Sequence, residues 1–381
     1  MSIAKCLAIA VFAVGTGGAA NAASEKVIYS LKPESPGLFP ETGLISVGGT
    51  LYGTTTFSGV SRRGEARGYG TVFKVTTAGA CTRVFDFDGD NGGNPSALIN
   101  VGGTLYGTTS GGGEGYGNVF ELTTQGVESV LYAFKGFPDG AYPGSLIKVG
   151  GTLYGTTVNG GYYHYYGTVF KSTKAGAEKL VYSFAGGGDG ANPAGIINVG
   201  GTLYGTTTSG GTSNNGTVFK MTKAAAETVL YSFAGGSDGA NPGPPLLDVG
   251  GTLYGTTYSG GANNDGTVFK VTTAGIETVL YSFSGSDGAN PQSSLINVGG
   301  TLYGTTRFGG VNNCEFLGNV VGCGTVYSIT PAGQETLLYA FQGGSDGQGP
   351  VGELAAVHGK LYGVTTYGGS NGDGTVFELT P

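Results

Sequence analysis

Apolar and polar positions along this chain fall into short runs rich in Val, Leu, Ile, Tyr, Phe and Thr, each bounded by Gly, Asn, Asp or Pro. Residues 194–233 carry four of them in succession, AGIINV, TLYGTT, GTVFKMT and ETVLYSF. Runs of this length and composition predict strands over roughly 194–199, 202–207, 216–222 and 227–233, and no stretch carries the period of an amphipathic helix. Gly200-Gly201, between the first two runs, suits a tight hairpin turn with positive φ at both central residues. In the last such turn the pair is His358-Gly359. Histidine tolerates that conformation better than a β-branched residue would, so His358 reads as a turn residue.

The four-run unit repeats. The string LYG recurs at Leu51, Leu105, Leu153, Leu203, Leu253, Leu302 and Leu361, with spacings of 54, 48, 50, 50, 49 and 59 residues. Seven copies of four short strands predict an all-β, seven-bladed β-propeller, with radial four-stranded sheets around a central channel and residues 23–381 as one domain. Both faces of a blade then pack on neighbours, which places Tyr106, Tyr204 and Tyr254 in the interblade core. If the strand before the Gly-Gly turn is innermost, the final copy supplies only three strands, ending at 374–380. Residues 25–30, EKVIYS, match the ETVLYS of the other copies. The missing outer strand is therefore expected from the N terminus, pairing 26–31 with 374–380 and leaving no open sheet edge.

Composition agrees. Glycine supplies 79 residues, charged residues 11%, and tyrosine and phenylalanine 23 and 19, while tryptophan is absent. Such a chain is turn-dense yet keeps 39% hydrophobic residues, enough for a packed β structure. The unit VGGTLYGTT, GTVFK and YSFxGxDGANP resembles the GloVer tandem repeat of secreted bacterial proteins whose C-terminal anchors differ from member to member. The resemblance runs through the whole chain after its leader and implies a propeller-type repeat without bringing an activity. Kelch propellers share a glycine pair and a similar period, but the kelch tryptophan has no counterpart here, and a quinoprotein propeller is disfavoured on the same ground.

Residues 1–22 combine Lys5, an apolar run over 6–14 and small residues around Ala20-Asn21-Ala22, the pattern of a secretory signal peptide. The chain is accordingly expected in the extracellular space or periplasm, as a monomer, with no membrane insertion once the leader is removed. Its formal charge of −7 becomes one unit more negative when Lys5 leaves, which argues against nucleic acid as a partner.

In a propeller the loops from strand two to strand three open on the same face as the blade-to-blade connections. Here the former are the segments that vary among copies: 57–69, 110–116, 158–166, 208–215, 258–265, 307–323 and 367–373. Variable loops on a rigid scaffold are where function concentrates. The third blade's loop reads GGYYHYYG, against SGGTSNN and SGGANND in the fourth and fifth. Tyr162, Tyr163, His164, Tyr165 and Tyr166 are therefore candidate ligand-binding residues, with Arg62, Arg63 and Arg67 from the first loop and Phe308 and Phe316 from the sixth. Two readings of the tyrosines stand: rings that stack on a sugar or anchor a protein, or rings folded down to cap the core.

Asp139, Asp189, Asp238, Asp287 and Asp346, each followed by Gly, recur in the blade-to-blade connections, with Asp88 in a longer variant. They read either as turn residues bonding their own backbone or as a carboxylate ring for Ca²⁺. With His164 and His358 the only histidines, neither a His-based zinc site nor a Ser-His-Asp arrangement assembles, and no GxxxxGK phosphate loop occurs. Cys314 and Cys323, in the longest loop of an exported chain, are expected to form a disulfide, and with Cys6 lost in the leader Cys81 stays unpaired. The sequence thus supports a secreted binding or scaffold module recognising a glycan or an extracellular protein. An extracellular hydrolase or lyase using loop acids, with or without a divalent ion, is the alternative.

Overall fold

The computed structural model describes residues 23–33, 35–60, 66–163, 165–173, 176, 178–222 and 225–381. Seven radial antiparallel sheets surround an axis, as the repeat predicts. In the fourth blade the strands Ala191–Val199, Thr202–Ser209, Thr217–Met221 and Glu227–Ser232 run from the axis to the rim. The inner strand starts earlier than its sequence pattern suggested, because Ala191 and Pro193 still pair with Ser209 and Thr207 beyond an irregularity. In the second and fifth blades the same interruption splits the inner strand in two. The hairpin turns carry positive φ at both central residues, as at His358 (φ 50) and Gly359 (φ 77), except in the third blade, where Gly150 has it and Gly151 does not. Among the described residues no helix is long and apolar enough to cross a membrane.

The repeat's invariant residues explain the packing. A Cβ on Gly205, the glycine of LYG, would fall 2.6 Å from the ring of Phe219 on the next strand. Only glycine lets that ring lie flat across the sheet, and Phe219 is fully buried there. Phe184, from the preceding blade-to-blade connection, meets Phe219 edge-on at 5.2 Å and also meets Tyr182 of its own blade at 5.2 Å. This Tyr-Phe-Phe relay recurs from blade to blade, for example through Tyr132, Phe134 and Phe170, and Tyr204 and Tyr254 lie in the seam cores as predicted. In six blades a threonine of the second strand bonds one of the third, as Thr207 and Thr217 do at 2.8 Å.

Ring closure follows the sequence reading closely. Ser24–Ser30 forms the outer strand of the seventh blade, antiparallel to Thr375–Thr380, with Ser24 opposite Thr380 and Ser30 opposite Thr375. Leu31 N–H donates to the Gly374 carbonyl at 2.9 Å, and Asn371 Nδ2 donates to the Leu31 carbonyl at 2.8 Å.

The aspartates of the connections sit at these seams. In the fourth blade the Asp238 carboxylate accepts from Tyr231 Oη at 2.7 Å and from the Ala234 backbone N–H at 2.6 Å. Asp139, Asp189, Asp287 and Asp346 make the same pair of bonds, the turn chemistry that was one of their two readings. Sequence reasoning missed their neighbours. The first glutamate of each next outer strand approaches an aspartate across the seam, pairing Glu128 with Asp88, Glu178 with Asp139, Glu227 with Asp189, Glu277 with Asp238, Glu335 with Asp287 and Glu25 with Asp346. Burial first, and then the facing aspartate, pushes these glutamates up to about 7, and Glu25 to about 8. Oε1 of each lacks a hydrogen-bond partner. At Glu25, Glu178 and Glu227 a proton held on the carboxyl turns it into a donor toward the facing aspartate, whereas Glu128, Glu277 and Glu335 feel the aspartate through its charge. At the seventh seam both acids are gone together: Cys81 stands for the glutamate and Pro36 for the aspartate, and Tyr29 Oη donates instead to the Ser35 carbonyl at 3.0 Å.

Three outcomes are expected. Deleting residues 23–32 strips an outer strand whose backbone bonds contribute roughly 0.5–1.5 kcal/mol each, so the melting temperature should drop by many degrees; an unchanged value would sink the closure. Because the seam glutamates have folded pKa values raised above 4.5, their stabilisation is complete below that pH and lost as pH rises through about 7 to 8. Thermal stability should therefore decline from about pH 5 to about pH 8, and Glu227→Gln with Glu277→Gln should flatten the slope; stability rising over that window would refute the shared proton. Burial also pushes the Cys81 thiol up to about 12, so iodoacetamide at mildly alkaline pH should label it far more slowly than a free cysteine, and rapid labelling would count against that burial.

Candidate functional site

The loop face combines rigid backbone with symmetry-breaking side chains. At each seam a residue with positive φ donates its N–H to a carbonyl of the preceding blade, as Asn192 does to Tyr166 and Asn241 to Asn215. Asparagine suits this left-handed position, and Asn192 Nδ2 also donates to the Val158 carbonyl at 3.0 Å. Tyrosine and phenylalanine do not suit it, yet Tyr142 and Phe39 occupy it at φ 57 and 52. Both are aromatic, and Tyr142 is 41% exposed.

The loop face of the first three blades carries several exposed aromatic residues. Tyr162, Tyr163 and Tyr165 are 62%, 53% and 74% exposed, so their rings do not cap the core. Tyr166 is different. Its ring covers Gly186 of the next connection, as Tyr69 covers Gly89 and Tyr116 covers Gly136, so the capping reading holds in part for this one residue. Tyr69, Tyr116 and Phe137 add further exposed aromatic area. His164, Arg62 and Arg63 lie outside the described residues, and Arg67 is placed only as backbone in the short strand Ala66–Arg67.

Across the ring a second aromatic group gathers residues from three blades. Phe57, Phe39, Tyr367, Phe316 and Phe308 follow one another with centroid separations of 6.3, 5.5, 6.1 and 5.4 Å. The Arg307 guanidinium lies 5.8 and 5.7 Å from the rings of Phe308 and Phe316, donates to Gln292 Oε1 at 3.0 Å and stands 4.0 Å from Glu41. Phe308 and Phe316 thus join the rings around Tyr367 in one row. Sequence inspection offered no sign of this row beyond the variability of each loop. Cys314 and Cys323 form the expected disulfide, which holds the base of the hairpin bearing Phe316. Its sulfur occupies the slot over Gly343 that tyrosine rings fill in the first three blades.

Arg307, Gln292 and Glu41 also line a cavity of about 480 Å³ at the channel mouth, together with Tyr258, Thr208 and Asn241. A volume of this size, with a few convergent polar groups and one aromatic wall, suits a small ligand or the end of a chain. The carboxylates of Asp139, Asp189, Asp238, Asp287 and Asp346 are each engaged by a tyrosine and a backbone N–H at separate seams. Among the described residues no group of three or more His, Cys, Asp or Glu side chains converges.

No curated protein matches the chain in sequence. Among solved structures, puromycin hydrolase is similar in fold with a TM-score of 0.54 at 13% identity, over 87% of this chain and 50% of that one. A putative 6-phosphogluconolactonase from Bacteroides uniformis gives 0.52 at 14% identity, over 80% and 86%. PorZ, described as a surface component of the type-IX secretion system of Porphyromonas gingivalis, gives 0.52 at 13% identity, over 88% and 46%. The chain spans about half the length of the puromycin hydrolase it matches. At these identities the likeness is one of fold. The sequence matches the description Gloeobacter/Verrucomicrobia repeat over residues 11–166, 143–317 and 194–381, in keeping with its own tandem pattern. Matched along almost its whole length, the chain belongs to the Gloeobacter/Verrucomicrobia repeat family.

Proposed function

We propose that this propeller is a secreted binding module that captures a glycan through the aromatic surface of its first three blades. The observation that carries the reading is the exposure of Tyr162, Tyr163 and Tyr165 in a loop whose counterparts in the fourth and fifth blades are small and polar. The blade does not require these rings, since the fourth and fifth blades fold with small polar residues in the same loop. Tyrosine offers a flat apolar face with a polar tip, which suits the apolar faces and hydroxyl rims of sugar rings at low entropic cost. The strained Tyr142 on the inner strand of the same blade supports the same use, since left-handed aromatic residues cost free energy that a binding role offsets. An apolar leader and a disulfide fit an exported protein.

A glycan array and a polysaccharide pull-down with the purified protein test this. Tyr162→Ser, Tyr163→Ser and Tyr165→Ser together, with Tyr166 kept as the cover of Gly186, should leave the melting temperature nearly unchanged and reduce retention at least about tenfold. Retention equal to that of the unmodified protein would remove this loop from the site. Capture of an extracellular protein in place of any glycan would transfer the same surface to protein recognition.

A further inference from the structure

The central channel breaks the sevenfold pattern at one place. Each inner strand carries, or directly follows, a buried leucine or isoleucine, and the residue before that one lines the channel in six of the seven blades. In six blades that residue is small or a proline: Gly43, Ala97, Ser145, Gly195, Pro245 and Ser294. In the seventh it is Glu353. The chain is tight here, since a Cβ on Gly43 would fall 2.2 Å from the Glu353 carbonyl oxygen, and Leu44 N–H donates to that oxygen at 3.3 Å. The two inner strands therefore fix the backbone of Glu353 and leave its side chain to the channel.

The channel holds about 420 Å³, and its wall is aliphatic, with Ile99, Ile147, Ile197 and Leu247 among its lining. It joins the loop-face mouth through Glu41, Pro244 and Gln292. Among the described residues, Glu41, Arg307 and Glu353 are the charged side chains lining channel and mouth. Glu41 stands beside Arg307, which leaves Glu353 as the uncompensated charge. Its side chain is exposed within the channel, and the protein crowding around it, with no charged neighbour, pushes the carboxyl up to about 7. Among the described residues it makes no hydrogen bond or ion pair. Ser145 Oγ, at the equivalent position of the third blade, is likewise without a partner.

We propose that the channel is a binding site for a slender apolar ligand bearing one primary ammonium group, which enters from the loop face and pairs with the Glu353 carboxylate. An unpaired carboxylate in an aliphatic wall is unfavourable, and a cation brought to it offsets that cost. The lining contains no aromatic ring, so a quaternary ammonium finds no cation–π partner, whereas a primary ammonium has three N–H donors for a carboxylate and a hydroxyl. This site is independent of the aromatic surface proposed for glycans.

Calorimetric titration of the purified protein with n-octylamine, n-octanol and octanoate tests the assignment. Octylamine should bind at least about tenfold more tightly than either analogue at about pH 8, and the preference should shrink toward about pH 5 as Glu353 takes up a proton. Glu353→Gln should abolish the preference while leaving octanol affinity unchanged. In the unmodified protein, saturating octylamine should lower the Glu353 titration midpoint seen in carboxyl carbon resonances, a readout that needs no variant. Equal affinity for amine and alcohol, preference for octanoate, an undiminished preference in Glu353→Gln or an unmoved midpoint would each overturn the proposal.

Discussion

Every blade of this protein is buried on both faces, and that constraint governs the rest of the structure. The Phe219 ring can lie across its sheet only because Gly205 has no side chain, and it is covered only because Phe184 of the preceding blade meets its edge. No blade supplies its own cover, so stability depends on every seam being filled and on the ring being closed. Closure is the costly step in chain entropy, since it joins residues from opposite ends of the sequence. The strand Ser24–Ser30 meets that requirement by adding to a sheet that would otherwise end at Thr375–Thr380.

The seams also show how a repeated scaffold handles charge. Facing Asp and Glu side chains would repel if both were ionised, yet the pair recurs at six seams and vanishes as a pair at the seventh. Joint loss fits a pair in which each acid shifts the protonation of the other. Repetition assigns these acids to the framework. The same logic picks out residues that do not repeat. Tyr142 and Phe39 at left-handed positions, Arg307 beside two phenylalanine rings and Glu353 in an aliphatic wall each depart from a position the other blades fill at lower cost. They lie on the loop face or along the channel that opens there.

The sequence by itself determined the blade count, the strand order, the turn at His358 and the N-terminal closing strand. Each follows from local pattern: short β runs, glycine pairs and a near-constant period specify which segments pair, because strand pairing within a blade is between neighbours in the chain. It also marked Tyr162, Tyr163 and Tyr165 as residues the blade does not need and paired Cys314 with Cys323. Only the tertiary structure decided what meets across a seam or across the ring. Phe39 lies hundreds of residues from Phe316 and Tyr367, and the contact of the three depends on the seventh blade standing between the sixth and the first. The Asp-Glu pairs escaped the sequence reading because the twist of each outer strand carries its first glutamate to the neighbouring blade, a displacement with no signature in a linear pattern. Glu353 escaped it because the direction of one side chain toward the axis is set by the packing of seven inner strands at once, and a single acid in an apolar run looks ordinary until that axis proves to be a channel.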